Sequence, residues 1–148
     1  MNEKVTQRTE VSYVDTQTGE IVATETSKTY TKRIKSDKFY MTFIDYVAPL
    51  YNLKSDSAKS ILTYMCEIAE YNTGKVALTT GVRQELCYTL GISSNTLTNN
   101  LKKLKDLNLI DGEKGDFTIN PQIFWKGDTT TRDQVLSKEE IKITFQIQ

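Results

Sequence analysis

The run Ser93-Ser94-Asn95-Thr96-Leu97-Thr98-Asn99-Asn100-Leu101-Lys102-Lys103 places groups that bond to bases and phosphates at helical spacing. Asparagine pairs bidentately with adenine at N6 and N7, serine and threonine reach several base atoms, and lysine contacts guanine or phosphate. On a helical wheel Leu97, Leu101 and Leu104 fall within about 60 degrees of one another, so they face a core and fix what points away from it. Asn95, Asn99 and Lys102 then lie opposite, with Thr98 and Lys103 flanking them. Ser94 falls in the first turn, where a recognition helix comes closest to base edges. From Ser93 to Lys105 there are three lysines and no acidic residue. An ordinary solvated helix also carries a polar face, so the elements around this one must decide what it does.

Those elements read as a helix-turn-helix followed by a hairpin. Thr79 or Thr80 opens a helix to about Leu90 with Val82, Leu86 and Leu90 inward, and Gly91 ends it just before the next helix begins. Arg83 falls on the exposed side of this first helix and can clamp a phosphate. After Leu107, residues 108–111 and 116–119 flank Gly112-Glu113-Lys114-Gly115 as a hairpin wing. Asp111, Glu113 and Asp116 surround the single Lys114, so a DNA contact is confined to the tip, or the hairpin simply closes the domain.

Upstream, Lys75 to Leu78 reads as a short strand, and the segment after Ser55 to about Tyr71 as a helix with Ala58, Ile61, Leu62, Met65, Ile68 and Ala69 on one face. Asp37 is placed to cap a helix from Lys38 to Asn52, bent or shortened by Pro49. Residues 1–10 are polar and expected to fray. Val11 to Thr31, rich in β-branched residues about a turn at Asp15 to Gly19, reads as a hairpin. The cluster Lys32, Arg33, Lys35 and Lys38 either touches a phosphate backbone or is a solvated connector. Past the wing, Asn120-Pro121 leads into an apolar turn, then a polar loop. Ile141 to Ile147 alternates as a strand does, with the N-terminal hairpin as its natural partner.

The expected fold class is α+β: a winged helix-turn-helix over residues 37–128, preceded by a hairpin extension over 1–36 and followed by a loop and strand over 129–148. With 148 residues, 38% of them hydrophobic, the chain can bury one core. Nineteen basic residues balance nineteen acidic ones, so attraction to a polyanion must come from local charge.

Histidine is absent, which removes every Ser-His or Cys-His mechanism and any metal site built on imidazole. No phosphate-binding glycine loop is present, and the expectation is a protein without catalytic residues, metal or cofactor. Cys66 and Cys87 fall among apolar helical residues and read as reduced, buried thiols. The eight tyrosines read as core and sheet residues. Nothing resembles a signal peptide or a membrane span, which points to the cytoplasm and to no membrane partner.

Three segments resemble the firmicute-type plasmid replication proteins of the RepL family: DTQTGEIV, LTTGVRQELCYTLGISSNTLTNNLKKLKDLNLI and FTINPQIFWKGD. The last is the most distinctive, since generic transcriptional winged helices do not usually carry it. The resemblance, over roughly residues 13 to 128, implies a winged-helix, DNA-binding factor for initiation or maintenance of replication at a plasmid or phage origin. Polymerisation would be left to host replication proteins. It carries over to Ser94, Asn95, Thr98, Asn99, Lys102 and Lys103 and brings no catalytic residue with it. The expected partners are therefore double-stranded DNA and a second copy in a homodimer, which would match repeated half-sites. A winged-helix transcriptional regulator would share all these residues, and a protein interaction module is compatible with the neutral charge and acidic wing.

Overall fold

A computed structural model of the chain describes the strand residues 2–7, 10–14, 21–26 and 30–35, and all of residues 37–147. Two compact units divide between Lys38 and Phe39.

The first unit is built from antiparallel strands. β1 (Asn2–Gln7) pairs with β4 (Tyr30–Lys35), and β2 (Glu10–Val14) pairs with β3 (Ile21–Thr26). The second pair is the hairpin expected from Val11 to Thr31; its turn at Asp15 to Gly19 lies outside the described residues. Two expectations change here. Asn2 to Gln7 is a paired strand rather than a frayed end, and Lys32, Arg33 and Lys35 belong to β4 rather than to a connector. Both follow from pairing: alternating sequences such as NEKVTQ and YTKRIK hold little strand signal alone, and each completes the other's backbone hydrogen bonds.

The second unit begins with β5 (Met41–Thr42) and two 3₁₀ turns at Ile44–Tyr46 and Ala48–Asn52, where a helix from Lys38 to Asn52 was expected. Pro49 denies that segment one helical N–H, and the backbone of Met41 and Thr42 is engaged by another strand. α1 (Asp56–Ile68) follows, with Ser55 accepting a hydrogen bond from the Ala58 amide at 3.3 Å. Then come β6 (Lys75–Ala77), α2 (Thr80–Leu90), α3 (Ser94–Asp106), β7 (Ile110–Glu113) and β8 (Asp116–Ile119). The three strands form one antiparallel sheet in the order β6-β8-β7. The fold is α+β, with helix, strand, helix, helix, strand, strand in succession, and the β7–β8 hairpin stands at the position of the expected wing.

One core unites these elements. Ile61, Leu62 and Met65 of α1 meet Leu86 of α2, Leu97, Leu101 and Leu104 of α3, and Val76, Ile110, Phe117 and Ile119 of the sheet. Each such side chain contributes about 1.5–3 kcal/mol by leaving water, and together they hold α3 with its leucine face inward.

The C-terminal segment departs from expectation. α4 (Thr129–Ser137) and α5 (Glu139–Phe145) replace the loop and strand foreseen for residues 129–148. Period two and a helical i, i+4 repeat both put Ile141 and Phe145 inward; they disagree at Ile143, which is 71% exposed. Phe145 is buried, and its carbonyl accepts from Asn108 Nδ2. The tyrosines also diverge from a core role: Tyr46, Tyr51, Tyr71 and Tyr88 are exposed. Their hydroxyls tolerate water, and Tyr71 donates to Asp128 Oδ1 at 3.1 Å.

Candidate nucleic-acid interface

Local sequence sets where α2 ends and α3 begins. Thr79 caps α2, its Oγ1 accepting from the Val82 amide at 3.3 Å. The helix ends on Gly91 at φ 64°, ψ 38°, a left-handed conformation that costs other residues a Cβ clash. The Ile92 amide then bonds back to the Cys87 carbonyl at 3.0 Å. Two residues later Ser93 starts α3 by accepting from the Thr96 amide at 3.1 Å. Only Gly91 to Ser93 separate the two helices, and α3 keeps one side outside the core.

That side carries the residues singled out by spacing. Ser94, Asn95, Thr98, Asn99, Lys102 and Lys103 are all exposed. Thr98 Oγ1 donates to the Ser94 carbonyl at 3.1 Å, so its outward groups are lone pairs and a methyl rather than a free donor. Asn100, one residue from Asn99, faces the other way: it is 4% exposed, and its Oδ1 accepts from Ser55 Oγ at 3.4 Å. Lys103 and Lys105 in the last turn complement the helix C-terminus.

Beside α3 a shallow groove of about 420 Å³ runs towards the wing. Arg83, Thr98, Lys102 and Lys114 all line it, so α2, α3 and the wing contribute to one surface. Lys105 lines it too and escaped the sequence reading. Its signal was present, since 98, 102 and 105 follow one stripe of a helix, but only the folded wing shows which stripe matters. Glu113 and Asp106 also border the groove, so the attraction for phosphate there is moderated. Arg83 is half-buried rather than fully exposed.

Lys103 is separated from this group. It lines a different groove with Lys54, Ser55, Asp106 and Leu107, on the flank of α3 away from the wing. Among the described residues no group of three or more His, Cys, Asp or Glu is placed to hold a metal ion. No helix there is long and apolar enough to cross a membrane.

A protein-family model described as a Firmicute plasmid replication protein (RepL) matches residues 1–142. The chain belongs to this family. Neither the curated proteins nor the solved structures provide a significant match. The RepL match extends past both ends of the three resembling segments, taking in β1, α4 and most of α5.

The INPQIFWKGD segment, the most distinctive RepL feature of the sequence, serves the fold. β9 (Phe124–Trp125) pairs with β5, Met41 opposite Trp125. Asn120 is buried, its Nδ2 donating to the Asn108 carbonyl at 2.8 Å while its Oδ1 accepts from the Gln122 amide at 3.0 Å. Trp125 Nε1 donates to the Asp128 carbonyl at 2.9 Å. The Asp128 amide donates to Asn72 Oδ1 at 2.8 Å, and Lys126 Nζ reaches the Glu67 carbonyl near the end of α1. From α4, Arg132 donates to the carbonyls of Pro121 and Gln122 at 2.8 and 3.0 Å, with its guanidinium 3.5 Å over the Phe43 ring. Burial pulls this guanidinium below its ordinary pKa, against the opposing pull of Asp133. The segment thus ties α1, β5 and α4 together.

Cys66 is buried, and burial pushes its thiol up to about 12, against a smaller lowering by Lys126. Cys87 is only half-buried, so one of the two cysteines meets the expectation of full burial and the other does not.

Proposed function

We propose that this RepL protein binds duplex DNA sequence-specifically, with α3 lying in the major groove, as a non-enzymatic factor in initiation or maintenance of plasmid or phage replication. The observation that carries the reading is the free side of α3, where Ser94, Asn95, Thr98, Asn99 and Lys102 stand exposed with no acidic neighbour before Asp106. Asparagines there supply bidentate base contacts, and Arg83, Lys102, Lys105 and Lys114 supply phosphate contacts on the wing side. The protein acts in the cytoplasm as a homodimer on repeated half-sites, since one module with so few phosphate contacts binds weakly at physiological salt. Host enzymes carry out polymerisation.

Selection of bound sequences from a random duplex pool tests the binding, and a repeated or palindromic site is the expected result. Footprinting on the replicon's own origin tests the role. Protection confined to a promoter, with replication unaffected by deletion of the gene, would replace the initiator by a transcriptional regulator.

A further inference from the structure

Lys102 and Lys103 are adjacent in sequence and leave α3 about 100 degrees apart, as consecutive helical residues do. That angle sends them to different grooves. Lys102 joins Arg83, Lys105 and Lys114 on the wing side, while Lys103 lines a groove of about 330 Å³ with Lys54 on the opposite flank. Lys54 and Lys103 are both exposed, and the free side of α3, with Asn95 and Asn99, lies between the two groups of cations.

The fold holds Lys54 at this flank. Leu53 before it is buried in the core, and Ser55 after it caps α1 and donates to Asn100 Oδ1 of α3 at 3.4 Å. Lys54 is thus fixed between two anchors, one of them on α3 itself. Its charge does nothing for α1, because a cation just before the cap opposes the helix dipole. Asp106 borders both grooves. Four cations stand against Asp106 and Glu113 on the wing side, and two against Asp106 alone on the other, so each flank keeps a positive excess.

A helix about 10–12 Å across with its side chains fills a major groove about 12 Å wide, so one phosphate backbone runs along each of its flanks. The wing-side cations face one strand, and only the opposite flank can face the other. We infer that Lys54 and Lys103 clamp the phosphate backbone of the second DNA strand, holding α3 in the groove from both sides. This rests on the DNA-binding reading of α3 and adds to it a contact from outside the helix-turn-helix, at the segment before α1. Phosphates carry no sequence information directly, so the clamp contributes affinity rather than base choice.

The test uses the full chain, a duplex from the replicon's own origin and a random-sequence duplex, titrated over a range of salt. Replacing Lys54 and Lys103 together by Ala should weaken binding to both duplexes alike and lower the log K against log salt slope by about 0.9 per lost contact, ~1.8 in all, with Lys54→Ala alone giving about half of that. Lys75→Ala removes one exposed charge from a groove that contains no residue of α3, and should leave the slope unchanged. Phosphate ethylation interference on the origin duplex assigns the strand: the double variant should lose interfering phosphates along one strand, and Arg83→Ala with Lys102→Ala those along the other. Circular dichroism checks that each variant folds; should the double variant fail, Lys54→Gln and Lys103→Gln carry the same test singly at about 0.9 each. An unchanged slope, or a fall carried by Lys103 alone, overturns the clamp while leaving α3 as the binding element. An equal fall for Lys75→Ala, or interference lost evenly from both strands, also overturns it, since charge rather than placement would then be responsible. If the unaltered chain binds neither duplex, the reading of α3 fails and the clamp with it.

Discussion

Asn99 and Asn100 are the same residue type at neighbouring positions, and the structure gives them different surroundings. Asn99 is exposed on the free side of α3, whereas Asn100 is 4% exposed and accepts from Ser55, the residue that caps α1. Asn99→Ala removes nothing from the fold and places the best helix former in a helix, so stability should hold or rise by about 0.5 kcal/mol. On the proposed reading Asn99 contacts a base, and loss of a bidentate adenine contact costs about 1–3 kcal/mol, roughly 5- to 150-fold in affinity for the preferred site. Affinity for random duplex should not change. Asn100→Ala should do the reverse. At 3.4 Å its bond to Ser55 is long and sits at the weak end of the range, but the Asn100 side chain itself is buried. A net loss of about 1–2 kcal/mol follows, with site preference intact. Urea melts and fluorescence anisotropy with preferred and random duplexes measure both quantities. The assignment of faces is refuted if Asn100→Ala relaxes specificity at full stability, or if Asn99→Ala costs stability while the preferred site is bound as before.

Two further predictions concern the scaffold. A Cβ on Gly127, at φ 150°, would stand 2.1 Å from Asn72 Oδ1 and 2.9 Å from the Asn72 amide nitrogen, where Asn72 holds Asp128. Gly127→Ala should therefore cost about 2–4 kcal/mol in melts through strain and a lost hydrogen bond, with duplex binding by the folded fraction unchanged; full stability would remove the case for a clamp at this segment. For Cys66, both states keep the proton below pH 9.0, and between there and about 12 only the unfolded chain loses it. Stability should accordingly fall with rising pH across that window, by about 1.4 kcal/mol per unit from this group, and the fall should lessen in Cys66→Ala. Ready labelling of Cys66 by a thiol reagent in the folded chain at mildly alkaline pH would contradict this.

Much of α3 was legible in the sequence because its determinants are local. The leucine spacing of 97, 101 and 104, the threonine and serine pairs at the two helix starts and the stop at Gly91 each act within one or two turns; the structure buries the three leucines, caps the helices with Thr79 and Ser93, and gives Gly91 a left-handed conformation. The N-terminal hairpin and the β7–β8 hairpin were legible for the same reason, their turn residues lying between the strands they join.

What failed was decided by partners distant in the chain. Met41 and Thr42 are a strand because Phe124 and Trp125 pair with them, although their own spacing suits a helix. NEKVTQ becomes a strand only opposite YTKRIK. Alternation from Ile141 to Ile147 is equally compatible with two periods, and burial of Phe145 beside Asn108 selects the helical one. The same holds within the candidate interface. Periodicity alone identified the polar side of α3 and named its residues. Only the folded wing and the segment before α1 sent Lys102 and Lys105 to a groove with Arg83 and Lys114, and Lys103 to the other flank. A helix's sequence determines which of its sides is buried; what stands beside the remaining side depends on elements the helix does not contain, because packing joins residues without regard to their separation along the chain.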